Sequence, residues 1–437
     1  MNDLIIIGAG PGGYEMALEA SKKGLSVTLI ESKDLGGTCL NVGCIPTKTY
    51  YKNAKMIRDI KKAHLFGVNI NEFQFDFAKA KLRKDEVVKT LQAGILYLLK
   101  KANVNLVYGH ASFVDENTVL VNNEQYQAKN IIIATGSKPI RLLGFDDAIT
   151  SDDILSIEEV PQTLSIIGGG VIGIEMATIF HSFGSNVKIF EMADRLLPQA
   201  DIEISKRIAA YLKQEGIEIY LNTKALNYQN KVLTVKIKDE EKQFDSDQVL
   251  IAIGRKANIS ELHLDKVNVA YDNRGILVNE HFQTNISNIY AIGDVCGKVM
   301  LAHYATYCGK HALKHILGEE SKINFYLVPS VVFTFPEISW IGLSEEDCKN
   351  LGVQYQVYKS QFRANGKALA DNEVEGFVKI IVVDDYIKGV HIIGEDASTL
   401  IHEMVVLMNA NINTSSFLDI IHAHPTLNEI FHSALIM

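Results

Sequence analysis

The chain has 437 residues, room for roughly two to four domains, and its 47% apolar and 22% charged content is that of an ordinary globular protein. Its 43 basic and 52 acidic residues leave a net charge of −9, which argues against nucleic acid as a partner. No apolar run approaches the ~20 residues of a membrane span and the N-terminus enters a strand with no basic-then-apolar leader, so no membrane span is expected and the expected location is the cytoplasm, or an organellar matrix where a leader has been removed.

Residues 4–7 form an apolar run of the kind a buried parallel strand shows. Gly8, Gly10 and Gly13 follow as a GxGxxG turn, then a predicted helix over 14–23 and a strand over 27–30 that ends at Glu31. Such glycines permit a tight turn and close approach of backbone to a pyrophosphate, which then faces a helix N-terminus, and the acidic residue accepts from a ribose hydroxyl. Five cysteines, Cys39, Cys44, Cys296, Cys308 and Cys348, are too few and too scattered for a disulfide scaffold and lack zinc-type spacing, so no metal site is expected.

The run Gly36-Gly37-Thr38-Cys39-Leu40-Asn41-Val42-Gly43-Cys44-Ile45-Pro46-Thr47-Lys48 places two cysteines five positions apart. In a regular helix that spacing is about 7.5 Å along the axis, beyond the ~4.4–6.8 Å Cα separation of a disulfide. A bond between them therefore requires a break in the helix, which Gly43 permits, and Pro46 suits a helix's first turn. Lys48, four positions after Cys44, shares its helix face. Two readings stand on the residues alone: a switchable dithiol at a helix start, where a thiolate is favoured, or two buried structural cysteines.

This run resembles the redox motif of the flavin-dependent disulfide reductases, class I of the pyridine nucleotide-disulfide oxidoreductases. Its Ile-Pro-Thr-Lys ending is most similar to that of the dihydrolipoamide dehydrogenases within that family, and the resemblance extends from Leu4 to Glu429. It implies that Cys39 is the interchange sulfur and Cys44 the sulfur against the flavin. A redox disulfide must lie against the group that exchanges electrons with it; a flavin stays bound whereas a nicotinamide dissociates, so FAD is assigned to this first unit.

The 53 residues from Tyr50 to Ala102 read as long helices, over 54–62 and 77–101, before a strand over 104–108. Gly109-His110-Ala111 resembles the family's adenine-side turn. Residues 117–121 and 125–129 suggest a hairpin, and 131–133 a strand ending in Ala134-Thr135-Gly136-Ser137. In the family that segment returns to the flavin; a plain strand-to-turn exit accounts for its composition equally well.

A second unit repeats the first. A strand over 164–167 leads to Gly168, Gly170 and Gly173, a helix over 174–183 and a strand over 187–190 that ends at Glu191. Positions 8, 10, 13 and 31 thus recur 160 residues later at 168, 170, 173 and 191. One such match is weak; two with matching acidic residues imply two doubly wound domains, the second for nicotinamide. Glu191 favours NAD, since a carboxylate repels a 2′-phosphate. A helix over 202–214, strands over 217–221, 232–237 and 243–244, and Val249 to Gly254-Arg255 follow, the last mirroring 131–136. The resemblance implies NAD contacts at Gly168, Gly170, Val171, Ile172, Gly173, Glu175, Ala225 and Gly254. It also pairs Lys48 with Glu175 near the flavin, where the residues alone allow an ordinary helix salt bridge.

Residues 289–294 read as a buried strand closed by Gly293-Asp294, and Met300-Leu301-Ala302-His303 as a helix start. The resemblance puts Asp294 on the flavin's ribityl chain and Met300 to His303 along its ring. Cys308 stands where relatives carry an acid and is not read as catalytic. From Pro329 the rhythm changes: a hairpin over 377–383 and 387–393 and helices over 399–410 and 415–421 resemble the family's α+β dimerisation domain.

Near the end, His422-Ala423-His424-Pro425-Thr426-Leu427-Asn428-Glu429 puts a His before Pro, outside regular helix. Thr426 and Glu429 also fit a capping box, a sufficient structural reason for both. The resemblance makes His424 the acid–base, oriented by Glu429 and reaching the disulfide of the partner subunit; His422 alternates away and reads as structural.

The expected architecture is α/β, two Rossmann-like dinucleotide-binding domains plus a C-terminal α+β dimerisation domain. Its boundaries are 1–147 with 275–318 for FAD, 148–274 for NAD and 319–437 for the interface. The implied activity is oxidation of protein-bound dihydrolipoamide by NAD+ through a disulfide and tightly bound FAD, one per subunit. The implied partners are a second copy and the lipoyl domain of a 2-oxo acid dehydrogenase or glycine cleavage complex. A glutathione-type reductase and a non-enzymatic flavoprotein subunit are the alternatives.

Overall fold

The protein is described here as a computed structural model covering residues 1–436. Its first sheet runs, in order, 105–108, 27–31, 2–7, 124–133, 118–121 and 111–115, with Ile289–Ala291 alongside 131–133. Strand Asn2–Ile7 pairs in parallel with Val27–Glu31 on one side and with 128–133 on the other. Leu4 and Ile6 pack under helices Pro11–Lys22 and Ala302–Ile316, while Ile5 and Ile7 face the opposite core with Phe113 and Val119. Burial on both faces is why this strand is apolar without alternation.

The second sheet has the same plan: 218–220, 186–190, 163–167, 248–251 and 149–150, all parallel. Each unit also carries an antiparallel meander, 111–133 in the first and 223–245 in the second. A short ribbon of Ser137–Pro139 against Arg255–Ala257 joins the exits of the two units. The third sheet is antiparallel, ordered 330–332, 337–342, 386–394, 377–383 and 356–361, and is backed by helices Ala397–Asn409 and Glu429–Leu435. Asp384 and Asp385 turn its central hairpin, both at positive φ as a tight two-residue turn requires.

Several expected elements differ from the structure. The helix expected from 54 begins at Cys44 and runs to Lys62, because Pro46 is tolerated in its first turn. The expected strands 125–129 and 131–133 are one strand, Glu124–Ile133, which pairs antiparallel with 118–121 at its start and parallel with 2–7 beyond. The strand expected over 289–294 stops at Ala291, and Gly293–Cys296 forms a single 3₁₀ turn. The helix expected over 415–421 ends at Leu418. Among the described residues no helix is long and apolar enough to cross a membrane.

Candidate active site

A cavity of about 2270 Å³ runs between the three regions, well above the ~300–1,000 Å³ of a typical small-molecule site, so it has room for more than one dinucleotide. Gly8, Gly10 and Gly12 line one end. A Cβ at Gly8 would sit 2.4 Å from the Ala134 carbonyl oxygen, and one at Gly13 1.9 Å from that of Gly8, so the turn admits only glycine. Helix 11–22 starts on Pro11 with no side-chain cap, and its free N–H groups suit a phosphate. Glu31 accepts from Ala9 N at 2.7 Å and Lys33 N at 2.9 Å, which holds its carboxylate against the turn.

The second unit copies this geometry. A Cβ at Gly168 would meet Ala252 O at 2.4 Å, and one at Gly173 would meet Gly168 O at 2.0 Å. Glu191 accepts from Gly169 N at 2.5 Å and Ala193 N at 2.7 Å. Val171, Ile172 and Glu175 line the cavity; Gly168, Gly170, Gly173, Glu191 and Gly254 lie outside its lining. Ala225 is not brought to the cavity either and packs against the core around Phe145 and Phe190.

The two cysteines face each other on the cavity wall. Cys39 sits in the short helix Gly37–Val42, and Cys44 is the first residue of helix 44–62. Gly43 makes the break between them: a Cβ there would lie 2.8 Å from Thr38 O and 3.2 Å from Cys39 Cα. Both are present as thiols that hydrogen-bond each other. Donation from Cys39, helped by the Lys48 ammonium and opposed by burial, brings Cys44 down to about 7. The same hydrogen bond and burial push Cys39 up. Of the two readings left open by the residues, this asymmetry fits the switchable dithiol, with the thiolate on Cys44 at a helix N-terminus.

Lys48 Nζ lies 2.9 and 3.0 Å from the two carboxylate oxygens of Glu175, a residue buried in another unit's first helix, so the bond is not a surface pair along one helix. Glu175 also accepts from Phe333 N at 2.9 Å. Lys48, Ala111, Thr135, Gly136, Ser137, Asp294 and Met300 to His303 all line the cavity. Half-buried Asp294 is held above the usual carboxylate range by desolvation, and among the described residues its carboxylate has one donor, Ser137 Oγ at 2.6 Å. Its remaining acceptor capacity suits a polyhydroxyl chain, and with the uncapped glycine turn it makes the first unit fit FAD. Arg255, unassigned from sequence, ties this region together through Ser137 O at 3.0 Å, Thr38 Oγ1 at 3.3 Å and Asp152 Oδ1 at 2.9 Å.

His424 Nδ1 pairs with Glu429 Oε1 at 2.9 Å, yet the His424 side chain is 78% exposed and lies outside its own chain's cavity. The expected capping box forms only in half: Glu429 accepts from Thr426 N at 2.8 Å, but the Thr426 hydroxyl donates to Ala423 O, and Asn428 stands at the helix cap. His422 pairs with Glu403 Oε1 at 2.7 Å. Burial pushes the Cys308 thiol up to about 12, as suits a packing residue. Among the described residues no group of three or more His, Cys, Asp or Glu is placed to hold a metal.

Residues 2–309 match the family model described as "Pyridine nucleotide-disulphide oxidoreductase", and residues 328–435 match that family's dimerisation domain. The chain is 39% identical to a dihydrolipoyl dehydrogenase of Bacillus subtilis over 447 residues, covering 99% of this chain and 98% of that protein. It is 39% identical to the dihydrolipoyl dehydrogenase of Geobacillus stearothermophilus over 442 residues, covering 98% and 94%. Among solved structures, the HOCl-induced flavoprotein disulfide reductase RclA of Escherichia coli matches with a TM-score of 0.89 at 29% identity, covering 100% of this chain and 99% of that one. Paired glycine turns, a cysteine couple on the wall between them and this similarity along the whole chain lead to one assignment: the chain belongs to the pyridine nucleotide-disulphide oxidoreductases.

Proposed function

We propose that the protein oxidises protein-bound dihydrolipoamide to lipoamide and reduces NAD+ to NADH. The observation that carries this reading is the cysteine pair on the wall of a cavity that both nucleotide units enter, with Cys44 brought down to about 7 beside Lys48 and Cys39 pushed up. The two dihydrolipoyl dehydrogenases above support the choice of dithiol.

The chain's residues divide the work as follows. His424 of the partner subunit takes a proton from one substrate thiol, with Glu429 fixing its tautomer through Nδ1. The resulting thiolate attacks Cys39 Sγ, the Cys39–Cys44 bond breaks, and Cys44 leaves as a thiolate stabilised by Lys48. The second substrate thiol gives its proton to water as its sulfur attacks the mixed disulfide; lipoamide departs and Cys39 receives the proton that His424 carried. Cys39's raised pKa suits it to hold that proton, and its S–H then donates to Cys44. Gly8, Gly13 and Asp294 would hold FAD, which would supply the two-electron chemistry that links this thiolate to hydride transfer to NAD+. Lys48 and Glu175 hold the two units in register beside it.

Glu191 takes two backbone N–H groups, and nearby Arg195 is committed to Glu346 at 3.1 Å, an arrangement that favours NAD over NADP. On this reading residues 1–147 with 275–318 bind FAD, 148–274 bind NAD, and 319–437 form the interface of a cytoplasmic homodimer. A lipoyl domain of a 2-oxo acid dehydrogenase or glycine cleavage complex delivers the substrate. The test is NADH formation by the FAD-loaded protein from free dihydrolipoamide and NAD+. Absence of NADH, with rapid reduction of glutathione disulfide by NADPH instead, refutes the proposal.

A further inference from the structure

The segment that carries His424 is irregular. It spans 419–428, between helices Thr414–Leu418 and Glu429–Leu435. Packing holds its ends, through Leu427 against the third region's core and the His422 ring edge-on to Phe417, but Ile421 is 97% exposed and the His424 ring stands in solvent. Its hydrogen-bonded ties to other elements are few. Asn365 Nδ2 donates to Thr426 O at 3.0 Å. The rest pass through one carboxylate on helix 397–409: Glu403 Oε1 binds His422 Nε2 at 2.7 Å, and Oε2 accepts from Asn428 Nδ2 at 2.6 Å. Glu403 therefore grips the chain on both sides of His424.

The His422 end of this grip is charged. Its Nδ1 faces Ile420 O at 3.0 Å while its Nε2 faces Glu403. Both partners are acceptors, so both ring nitrogens donate and the ring is an imidazolium. Burial opposes this, and the bond to Glu403 outweighs it, leaving His422 above its ordinary range. A charge-assisted pair is stronger and more directional than a neutral hydrogen bond.

We propose that Glu403 is a positioning residue for the His424–Glu429 pair, setting the direction in which His424 points through its bonds to His422 and Asn428. The inference rests on the activity proposed above, because the position of His424 matters only if it moves a proton for a dithiol.

The test uses the FAD-loaded enzyme with Glu403→Ala, Glu403→Gln and Asn428→Ala. Misplacement of an acid–base group by about 1 Å costs up to ~100-fold, so Glu403→Ala lowers kcat for dihydrolipoamide by at least ~10-fold. NADH-driven dye reduction, which does not need His424, stays within about twofold of wild type. Glu403→Gln keeps an acceptor for Asn428 and recovers part of the loss; Asn428→Ala shows a smaller loss of the same kind. Dihydrolipoamide turnover by Glu403→Ala within twofold of wild type overturns the proposal, as does parallel loss of both activities. A ring-proton titration of His422 by NMR needs no substrate: its pKa falls toward the free value in Glu403→Ala, and an unchanged value overturns the proposal. If the unaltered enzyme does not turn over dihydrolipoamide, the activity is refuted, and this titration still decides whether the grip exists.

Discussion

Lys48 Nζ sits 2.9 Å from Glu175 Oε2 and 4.5 Å from the centre of the Phe333 ring. One ammonium thus joins the helix that starts at Cys44, the first helix of the second nucleotide unit and the entry to the C-terminal region. It is also the cation that helps hold Cys44 low. Lys48→Met therefore raises the Cys44 pKa by about one unit, the lower end of what an adjacent opposite charge contributes. The rate of iodoacetamide alkylation of the reduced protein against pH measures it, and a midpoint that stays near 7 refutes the assignment.

The same thiolate links stability to pH. Cys44 is brought from 9.0 to about 7 in the folded state, so folded protein sheds that proton earlier than unfolded protein as pH rises. The reduced protein gains stability between these two values and loses the increment as pH falls through the lower one. Cys39, pushed up, stays protonated in the folded state across that window, so its opposing loss of stability begins only as pH approaches the upper value. Thermal midpoints of reduced wild type and Cys44→Ser measured across it should diverge as pH rises; parallel curves contradict the prediction.

Gly43 leaves no room for a side chain between the two cysteines. A Cβ 2.8 Å from Thr38 O forces the backbone that carries Cys39 to shift. Gly43→Ala is expected to cost ~1–3 kcal/mol of stability and to slow closure of the Cys39–Cys44 disulfide, while FAD content is unchanged. Thiol titration after mild oxidation gives the readout; wild-type closure would show that the turn adapts.

Lys379 lies fully buried in the third sheet with its Nζ 2.8 Å from Asp201 Oδ2, and Glu345 is a second partner. Asp201 in turn caps helix 202–214 of the second unit by accepting from Glu203 N at 2.9 Å. Removing the cation strands a buried carboxylate, a loss of ~3–5 kcal/mol. Lys379→Met should lower the thermal midpoint, and adding Asp201→Asn should restore part of it. Equal midpoints for wild type and Lys379→Met would show that water reaches the pair.

The repeat was the most legible part of the sequence, because each glycine at 8, 13, 168 and 173 meets a backbone atom that excludes any other residue. The helix bounds 77–101 and 202–214 were legible because Asp76 and Asp201 fix their starts through side-chain caps. The single strand 124–133 was not, since its polar first half and apolar second half have different partners. At the site, the cysteine run and the late histidine stand out because they resemble the family's motifs; their local spacing alone left a structural reading open. Arg255, Phe333 and Glu403 do not stand out: Arg255 meets Thr38 across 217 positions and Phe333 meets Glu175 across 158, separations that carry no local pattern. Thr426 shows the reverse error, a capping pattern whose hydroxyl found another acceptor.

The exposure of His424 beyond its own chain's cavity has a genetic corollary. On the proposed reading, in which the sulfurs come from one copy and the imidazole from the other, a hybrid of a Cys44→Ser chain and a His424→Gln chain would concentrate both lesions in one centre and leave its twin whole. Two inactive parents, co-expressed, would then complement each other and yield an assembly with one working centre.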